Sequence, residues 1–301
     1  MGAPAFCFGA YIMWILFAAA SALFAGLSAI FGKYGVKGAD SDIATAVRTI
    51  IVLVFAWLLV FITGAQSGIG DISCRTWLFL VLSGLATGAS WLCYFKALQK
   101  GDVSKVVPVD KCSTVLTIVL AALCFNEPFT LITAAAVFLT GTGTLLMIEK
   151  KQAAKSAPQN KSWLFYAAGS AIFASLTAIL GKIGIENINS NLGTAIRTAV
   201  VLVMAWGMVA VTGKRKLLGQ IKAKEMVFIC FSGLATGVSW LCYYHALQNG
   251  LVSVVVAVDK LSVLVTIAFA WFVFGERLTL CSMAGLVCIV VGTLLLVLPP
   301  A

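Results

Sequence analysis

The 301-residue sequence predicts an all-α polytopic membrane protein, with ten transmembrane helices forming two inverted five-helix repeats. Three observations lead there. The chain is 61% apolar and 11% charged, with a mean hydropathy of +1.04, whereas soluble domains run about 45–50% apolar and about 25% charged. Apolar runs of about 20 residues, the length that crosses a bilayer as helix, recur from end to end. The sequence also matches itself at an offset of 149 residues without a gap, with 25 identities in 36 positions between 83–118 and 232–267. A repeat that long is a duplication rather than a solenoid unit. This composition excludes a large soluble catalytic or nucleic-acid-binding domain.

The first repeat occupies 11–148, with apolar runs near 11–31, 43–63, 76–96, 103–124 and 130–148. A polar, lysine-rich linker follows at 149–162. The second repeat occupies 163–298, with runs near 163–183, 192–212, 225–246, 252–273 and 279–298. The alternation of short barrel strands is absent. Five spans per unit is an odd number, so continuous insertion turns the second unit upside down.

The net charge of +10 tests that inversion. With the odd-numbered connections on one side of the membrane, that side holds 15 Lys and Arg residues; the other holds Arg75 and Lys182. The basic side is expected to be cytoplasmic, leaving both termini outside. Paired loops exchange charge accordingly. Loop 64–75 has one basic residue and its counterpart 213–224 has five, while Lys37, Lys96, Lys100 and Lys105 become Glu186, His245, Asn249 and Val254. The basic surface therefore needs no nucleic-acid partner.

Inverted repeats build secondary carriers whose site lies near the midplane. Asp110-Lys111 and Asp259-Lys260 fall about 10 Å into the fourth and ninth spans at 1.5 Å per residue. Arg48 and Arg197 fall within the second and seventh. Each such group costs about 2.5–3.5 kcal/mol on insertion scales, so the set marks either a site or a structural pairing. In the structural alternative Arg48 pairs with Asp110 and Arg197 with Asp259. In the functional one the aspartates carry a cation or proton and the basic groups contact anions; either sign of substrate fits. Adjacent Asp and Lys point about 100° apart and cannot simply neutralise each other.

Ser113 and Thr117, and their counterparts Ser262 and Thr266, share one face of these spans. Their hydroxyls either line a cavity or bond back to the helix backbone. Trp91 and Trp240 lie deep enough to wall a pocket, whereas Tyr94 and Tyr243 are placed for an interfacial aromatic belt. Pro108 has Ala257 as its counterpart, so a proline kink is expected only before Asp110. Gly84-x-x-x-Gly88 and Gly233-x-x-x-Gly237 read as helix-packing surfaces.

The nine cysteines form no C-x-x-C pair and read as small apolar residues. One histidine, His245, gives no zinc cluster. Gly32-Lys33-Tyr34 is no phosphate loop, and no nucleophile motif is present. Neither an enzyme, a metal site nor a cofactor is expected, proton coupling being the one ionic requirement in view.

Gly101-Asp-Val-Ser-Lys-Val-Val-Pro-Val-Asp-Lys111 with Phe125-Asn-Glu-Pro-Phe-Thr130 returns as Gly250-Leu-Val-Ser-Val-Val-Val-Ala-Val-Asp-Lys260 with Phe274-Gly-Glu-Arg-Leu-Thr279. In these segments the whole chain resembles the EamA branch of the drug/metabolite transporter superfamily, and Glu127 and Glu276 resemble that family's turn between fourth and fifth helices. Read locally, those glutamates serve the loop and helix start, with Thr130 and Thr279 as caps. The resemblance implies a secondary carrier that exports or exchanges small metabolites or drugs by alternating access. It also implies a cavity lined by spans 1, 3, 4, 6, 8 and 9. Two departures stand out: spans 1 and 6 lack the membrane carboxylate of small multidrug exporters, and the charge count puts the termini outside.

The expected partners are a small-molecule substrate and the bilayer of the cell's plasma membrane. One chain holds both repeats, so a monomer suffices and a dimer is optional. Proton coupling through Asp110 or Asp259 is one expectation. The alternatives are a flippase for a lipid-linked intermediate and a non-transporting scaffold or receptor.

Overall fold

The computed structural model describes residues 4–35, 39–100, 106, 109–147, 162–274 and 279–297. The expected linker at 149–162 (apart from Ser162), Pro108 and Glu276 lie outside the described residues. Within them all regular structure is helical. The first half has α1 (Pro4–Gly35), α2 (Ser41–Ile62), α3 (Cys74–Lys100), α4 (Ser113–Phe125) and α5 (Leu131–Leu146). The second has α6 (Ser162–Ile185), α7 (Ser190–Val211), α8 (Ala223–Asn249), α9 (Val252–Asp259), α10 (Ser262–Phe274) and α11 (Leu280–Val297). Among the described residues eight stretches are long and apolar enough to cross a membrane: α1, α2, α3, α6, α7, α8, α11 and the run Val252–Phe269 through α9 and α10. The apolar α5 has 16 residues and α4 has 13. This is a multi-pass membrane protein.

The duplication reaches down to single caps. Asp40 caps α2 through the N–H groups of Asp42 and Ile43, and Asn189 caps α7 through that of Asn191. Thr130 and Thr279 accept from the N–H groups of Thr133 and Ser282, as read from sequence. After α2 and after α7 the chain turns at Gly64 and Gly213, both at φ 69°, into matching 3₁₀ segments. That left-handed backbone is open to glycine at no steric cost.

The ninth span, expected to be continuous, is broken. Between α9 and α10 the N–H groups of Lys260 and Leu261 bond three residues back, to Ala257 and Val258 (3.1 and 2.9 Å). In the first half Cys112 bonds back to Val109 in the same way (3.2 Å) before α4 begins. The regular α-helical bonding is thus interrupted in the second half just after Ala257, the counterpart of Pro108. The sequence around it has no Gly or Pro to announce it. A tightened turn is tolerated at this depth where the chain lines a polar cavity rather than lipid.

Packing is mostly between halves. The most extensive pairings are α3 with α6, α1 with α8, α5 with α11 and α2 with α7. The two Gly-x-x-x-Gly motifs serve these contacts. A Cβ on Gly84 would lie 2.7 Å from that of Val200 on α7, and one on Gly88 2.5 Å from that of Met204. Gly233 and Gly237 meet Ile51 and Phe55 on α2, the repeat counterparts. Gly143 and Gly285 bring α5 and α11 backbone to backbone.

Polar contacts tie connections together at the ends. Lys214, beyond α7, bridges Asp40 (2.8 Å) and Asp42 at the start of α2. Glu127, beyond α4, accepts from the N–H groups of Val252 and Ser253 (2.6 and 3.0 Å) that open α9. Lys182 donates to the carbonyls of Leu247 and Gly250 (the latter 2.7 Å), on the other side of the same turn.

Candidate functional site

A cavity of about 380 Å³ lies between the halves, walled by α1, α3, α6, α7, α8 and the end of α9. The cross-half packing places α3 beside α6 and α7, and α1 beside α8, so each half supplies part of the wall. Trp91 stands on the α3 side; Trp240, Tyr243 and Tyr244 stand on α8. The polar groups are Thr87, Ser90, Thr177, Ser239, Arg197 and Asp259.

Arg197 is 2% exposed. Its Nε donates to Ser83 Oγ (3.0 Å) and its Nη2 to Thr87 Oγ1 (2.5 Å). Those hydroxyls keep an acceptor free because each spends its own hydrogen elsewhere: Ser83 on the Thr177 carbonyl and Thr87 on the Ser83 carbonyl. The guanidinium carbon lies 5.1 Å from the Trp240 ring centre and 4.8 Å from that of Tyr244. Each such cation–π contact is worth about 0.5–2 kcal/mol. Nη1 is buried and has no hydrogen-bond partner among the described residues.

The aspartates are held across the repeat boundary. Ser170 of the second half donates to Asp110 Oδ1 of the first (2.6 Å), and Ser21 of the first donates to Asp259 Oδ1 of the second (3.4 Å). Ser90 and Ser239 stand behind these serines at 3.3 Å each. Lys111 Nζ lies 4.0 Å from Asp110, and Lys260 lies within electrostatic reach of Asp259, Asp110 and Lys111. The two broken segments therefore bring four ionisable groups into one cluster.

Of the residues singled out from sequence, Arg197, Asp259, Trp91 and Trp240 meet at the cavity, and Asp110, Lys111 and Lys260 gather beside it. Arg48 is elsewhere. Ser232 and Thr236, the counterparts of Ser83 and Thr87, bond Ser28 instead (3.2 and 2.5 Å), and Arg48 lines a separate cavity of about 30 Å³ with Thr45 and Ser232. Among the described residues neither arginine forms an ion pair with an aspartate. Thr117 and Thr266 donate back to the carbonyls of Ser113 and Ser262 (2.8 and 3.1 Å), the backbone alternative. Neither they nor those serines line the cavity. Tyr243, expected in an interfacial belt, is part of the cavity wall because α8 continues past it to Asn249.

Sequence reading missed the serines Ser21, Ser170, Ser90 and Ser239 and the cap formed by Glu127. Ser21 and Ser170 stand in Ala-rich runs that read as packing surfaces. The available signal was their recurrence at the repeat offset, Ser21 as Ser170 and Ser90 as Ser239. A second, mainly apolar cavity of about 400 Å³ lies among α1, α2, α7 and α8, between Phe17, Phe55 and Leu59, with Asn191 and His245 at its polar end. Among the described residues no group of three His, Cys, Asp or Glu gathers for a metal, and the described cysteines are free thiols.

A multi-pass helical protein with a polar cavity between duplicated halves is built as membrane transporters are. The chain belongs to the EamA-like transporter family, which it matches twice, over 12–149 and 161–298. It is thus a membrane transporter of the drug/metabolite type. An uncharacterized transporter in the cobO 3′ region of Sinorhizobium sp. is 44% identical over 134 residues, 44% of this chain and 95% of that relative. The relative thus corresponds to about one repeat. A solved structure described only as a protein crystal structure superposes with a TM-score of 0.73 at 14% identity, covering 94% of this chain and 96% of its own. At that identity it shows the fold alone.

Proposed function

We propose that the protein is a secondary carrier that exports or exchanges a small polar or amphipathic metabolite by alternating access. The observation that carries this is the charged cavity of about 380 Å³ formed jointly by the two halves. In this reading the chain crosses the membrane ten times. The short helices α4 and α5 serve as the last two crossings of the first half. The halves are inverted, which is supported by the ends that meet. Lys214, beyond the second helix of one half, reaches Asp40, before the second helix of the other. Glu127, beyond α4, reaches the start of α9. The lysine distribution supports termini outside the cytoplasm in a plasma membrane. A single chain suffices, because it carries both orientations.

Alternating access follows from the difference between the halves. Arg197 is bound to its serine and threonine, whereas the equivalent hydroxyls near Arg48 are taken by Ser28. Exchange of the two arrangements between halves converts one facing state into the other. Substrate binding supplies energy only through its different affinity for the two.

The test is efflux from vesicles containing the purified protein and a mixed pool of small metabolites, read by mass spectrometry against protein-free vesicles. Selective release that is reduced in Asp259→Asn is expected; equal retention in all vesicles would overturn the carrier reading. Proton coupling through Asp110 or Asp259 belongs to the same proposal. It is abandoned if transport driven by a pH gradient is unchanged in both Asp→Asn variants. The apolar side cavity is the observation behind the second reading, a flippase for a lipid-linked intermediate. Redistribution of a labelled lipid between leaflets would favour it.

A further inference from the structure

The fold treats the two repeat-equivalent arginines differently. Arg197 has two hydroxyls and two ring faces around it. Arg48 lies about 10 Å into α2 at 1.5 Å per residue, and among the described residues it has no hydrogen bond, ion pair or ring contact. The hydroxyls of Ser232 and Thr236 are engaged with Ser28 instead, and the carboxylates of Asp40 and Asp42 with Lys214. Arg48 is only partly buried and opens onto the cavity of about 30 Å³ between α1, α2 and α8. Among the described residues it is the one charged group in that lining. A Cβ on Gly32 would stand 4.0 Å from Arg48 Nη1 and 3.4 Å from Ser232 Oγ, so the guanidinium faces the space that glycine leaves. Thr45, on the same face of α2, also lines the space, and its hydroxyl has no partner among the described residues. A guanidinium stays protonated in proteins. Within a span, a charge with no counter-charge is costly.

We propose that this small cavity binds one monoatomic anion of chloride size, held between the Arg48 guanidinium and the Thr45 hydroxyl. The space exceeds the about 10–15 Å³ that a water-sized particle needs and leaves no room for an organic body. One charged donor and one hydroxyl suit a halide, whereas phosphate would bring more acceptors than the lining has donors. Ala44 and Ile229 close the remaining wall with apolar surface. Water fills the same space without neutralising the charge. The site is separate from the large cavity and stands whatever the protein transports.

The experiment measures retention of radioactive chloride by the protein in phosphatidylcholine nanodiscs, with sodium gluconate holding the ionic strength constant. One chloride per chain is expected above protein-free nanodiscs, displaced by bromide and not by gluconate. Arg48→Gln is expected to weaken retention at least about tenfold, the loss of a hydrogen bond from a charged group. Gly32→Ala is the sharper variant. Its methyl group meets Ser232 and Arg48 at ordinary contact distances and takes the ion's place, while alanine is the better helix former. It is expected to lose retention without melting earlier than the unsubstituted protein in gluconate. Arg75→Gln, which removes an exposed arginine, should leave retention intact. Chloride should raise the melting temperature of the unsubstituted protein with the logarithm of its concentration, and leave that of Gly32→Ala unmoved. Retention no greater than in protein-free nanodiscs would overturn the proposal and assign the cavity to water. Undiminished retention in Gly32→Ala, whatever the folding of Arg48→Gln, would also overturn it, as an adventitious ion held elsewhere.

Discussion

Arg197 and Lys214 solve the same problem at different depths. Within the span, Nε and Nη2 of the guanidinium are matched by neutral hydroxyls and its carbon by ring faces, without a carboxylate in hydrogen-bond contact. At the rim, Lys214 meets two carboxylates directly. Partial burial works against the charge on both Asp40 and Lys214. Hydrogen bonds outweigh it: those from Lys214 and the N–H groups of Asp42 and Ile43 hold the Asp40 carboxyl below its ordinary value, and those to Asp40 and Asp42 raise Lys214. The depressed carboxyl contributes stability above the ordinary aspartate range, lost as pH falls through the lower folded value. The raised lysine contributes below the ordinary lysine range, lost as pH rises through the higher one. The bridge therefore works across the whole interval from about pH 4 to about pH 10. Lys214→Met is expected to lower stability by about 0.5–1 kcal/mol, since the lysine is partly exposed and screened. The deficit should be constant between pH 5 and pH 9 in thermal melts and shrink toward either extreme.

At the scale of elements, the turn between α8 and α9 is clamped by opposite charges from elsewhere in the fold. Lys182 sits on the carbonyls that end α8, and Glu127 on the N–H groups that begin α9, each sign matching its helix end. Glu127→Gln keeps the shape and removes the charge. It is expected to cost about 1–2 kcal/mol, the range of a helix-start cap with favourable dipole geometry. Loss of amide protection confined to the first turn of α9 would identify the cap in hydrogen exchange; unchanged protection there would refute it. The sequence announced Thr130 and Thr279 as caps because that chemistry is local. It hid the role of Glu127 because the helix capped lies 125 residues away. The break after Asp259 was hidden for a related reason. No Gly or Pro marks it, and only the neighbourhood of the other broken span makes a tightened turn the better conformation.

For the whole molecule, hydropathy, duplication and charge made the repeats and the membrane class legible, since each is a property of the chain summed over many residues. The interleaving of the halves was not, because nothing in a linear pattern states that α3 faces α6 rather than α2. The glycine motifs named close-packing faces without naming their partners. Gly84→Leu would push directly on Val200 and the Arg197 carbonyl (3.0 Å from a Cβ). The expected result is about 1–3 kcal/mol of lost stability from overpacking, together with reduced efflux from vesicles, because α7 carries Arg197 away from Thr87. Unaltered efflux in the folded variant would show that the interface and the cavity are independent.

The interleaving also sets an order of events at the ribosome. When the first half has been synthesised, none of the surfaces that α1, α2, α3 and α5 bury against α8, α7, α6 and α11 yet exists. At about 5–20 residues per second, the second half takes roughly 7–30 s to emerge. Until α6 and then α7 emerge, Asp110 lacks Ser170 and the glycine faces of α3 have only lipid beside them. The half-made chain, rather than the finished protein, is the species most open to capture by a membrane chaperone or a quality-control protease.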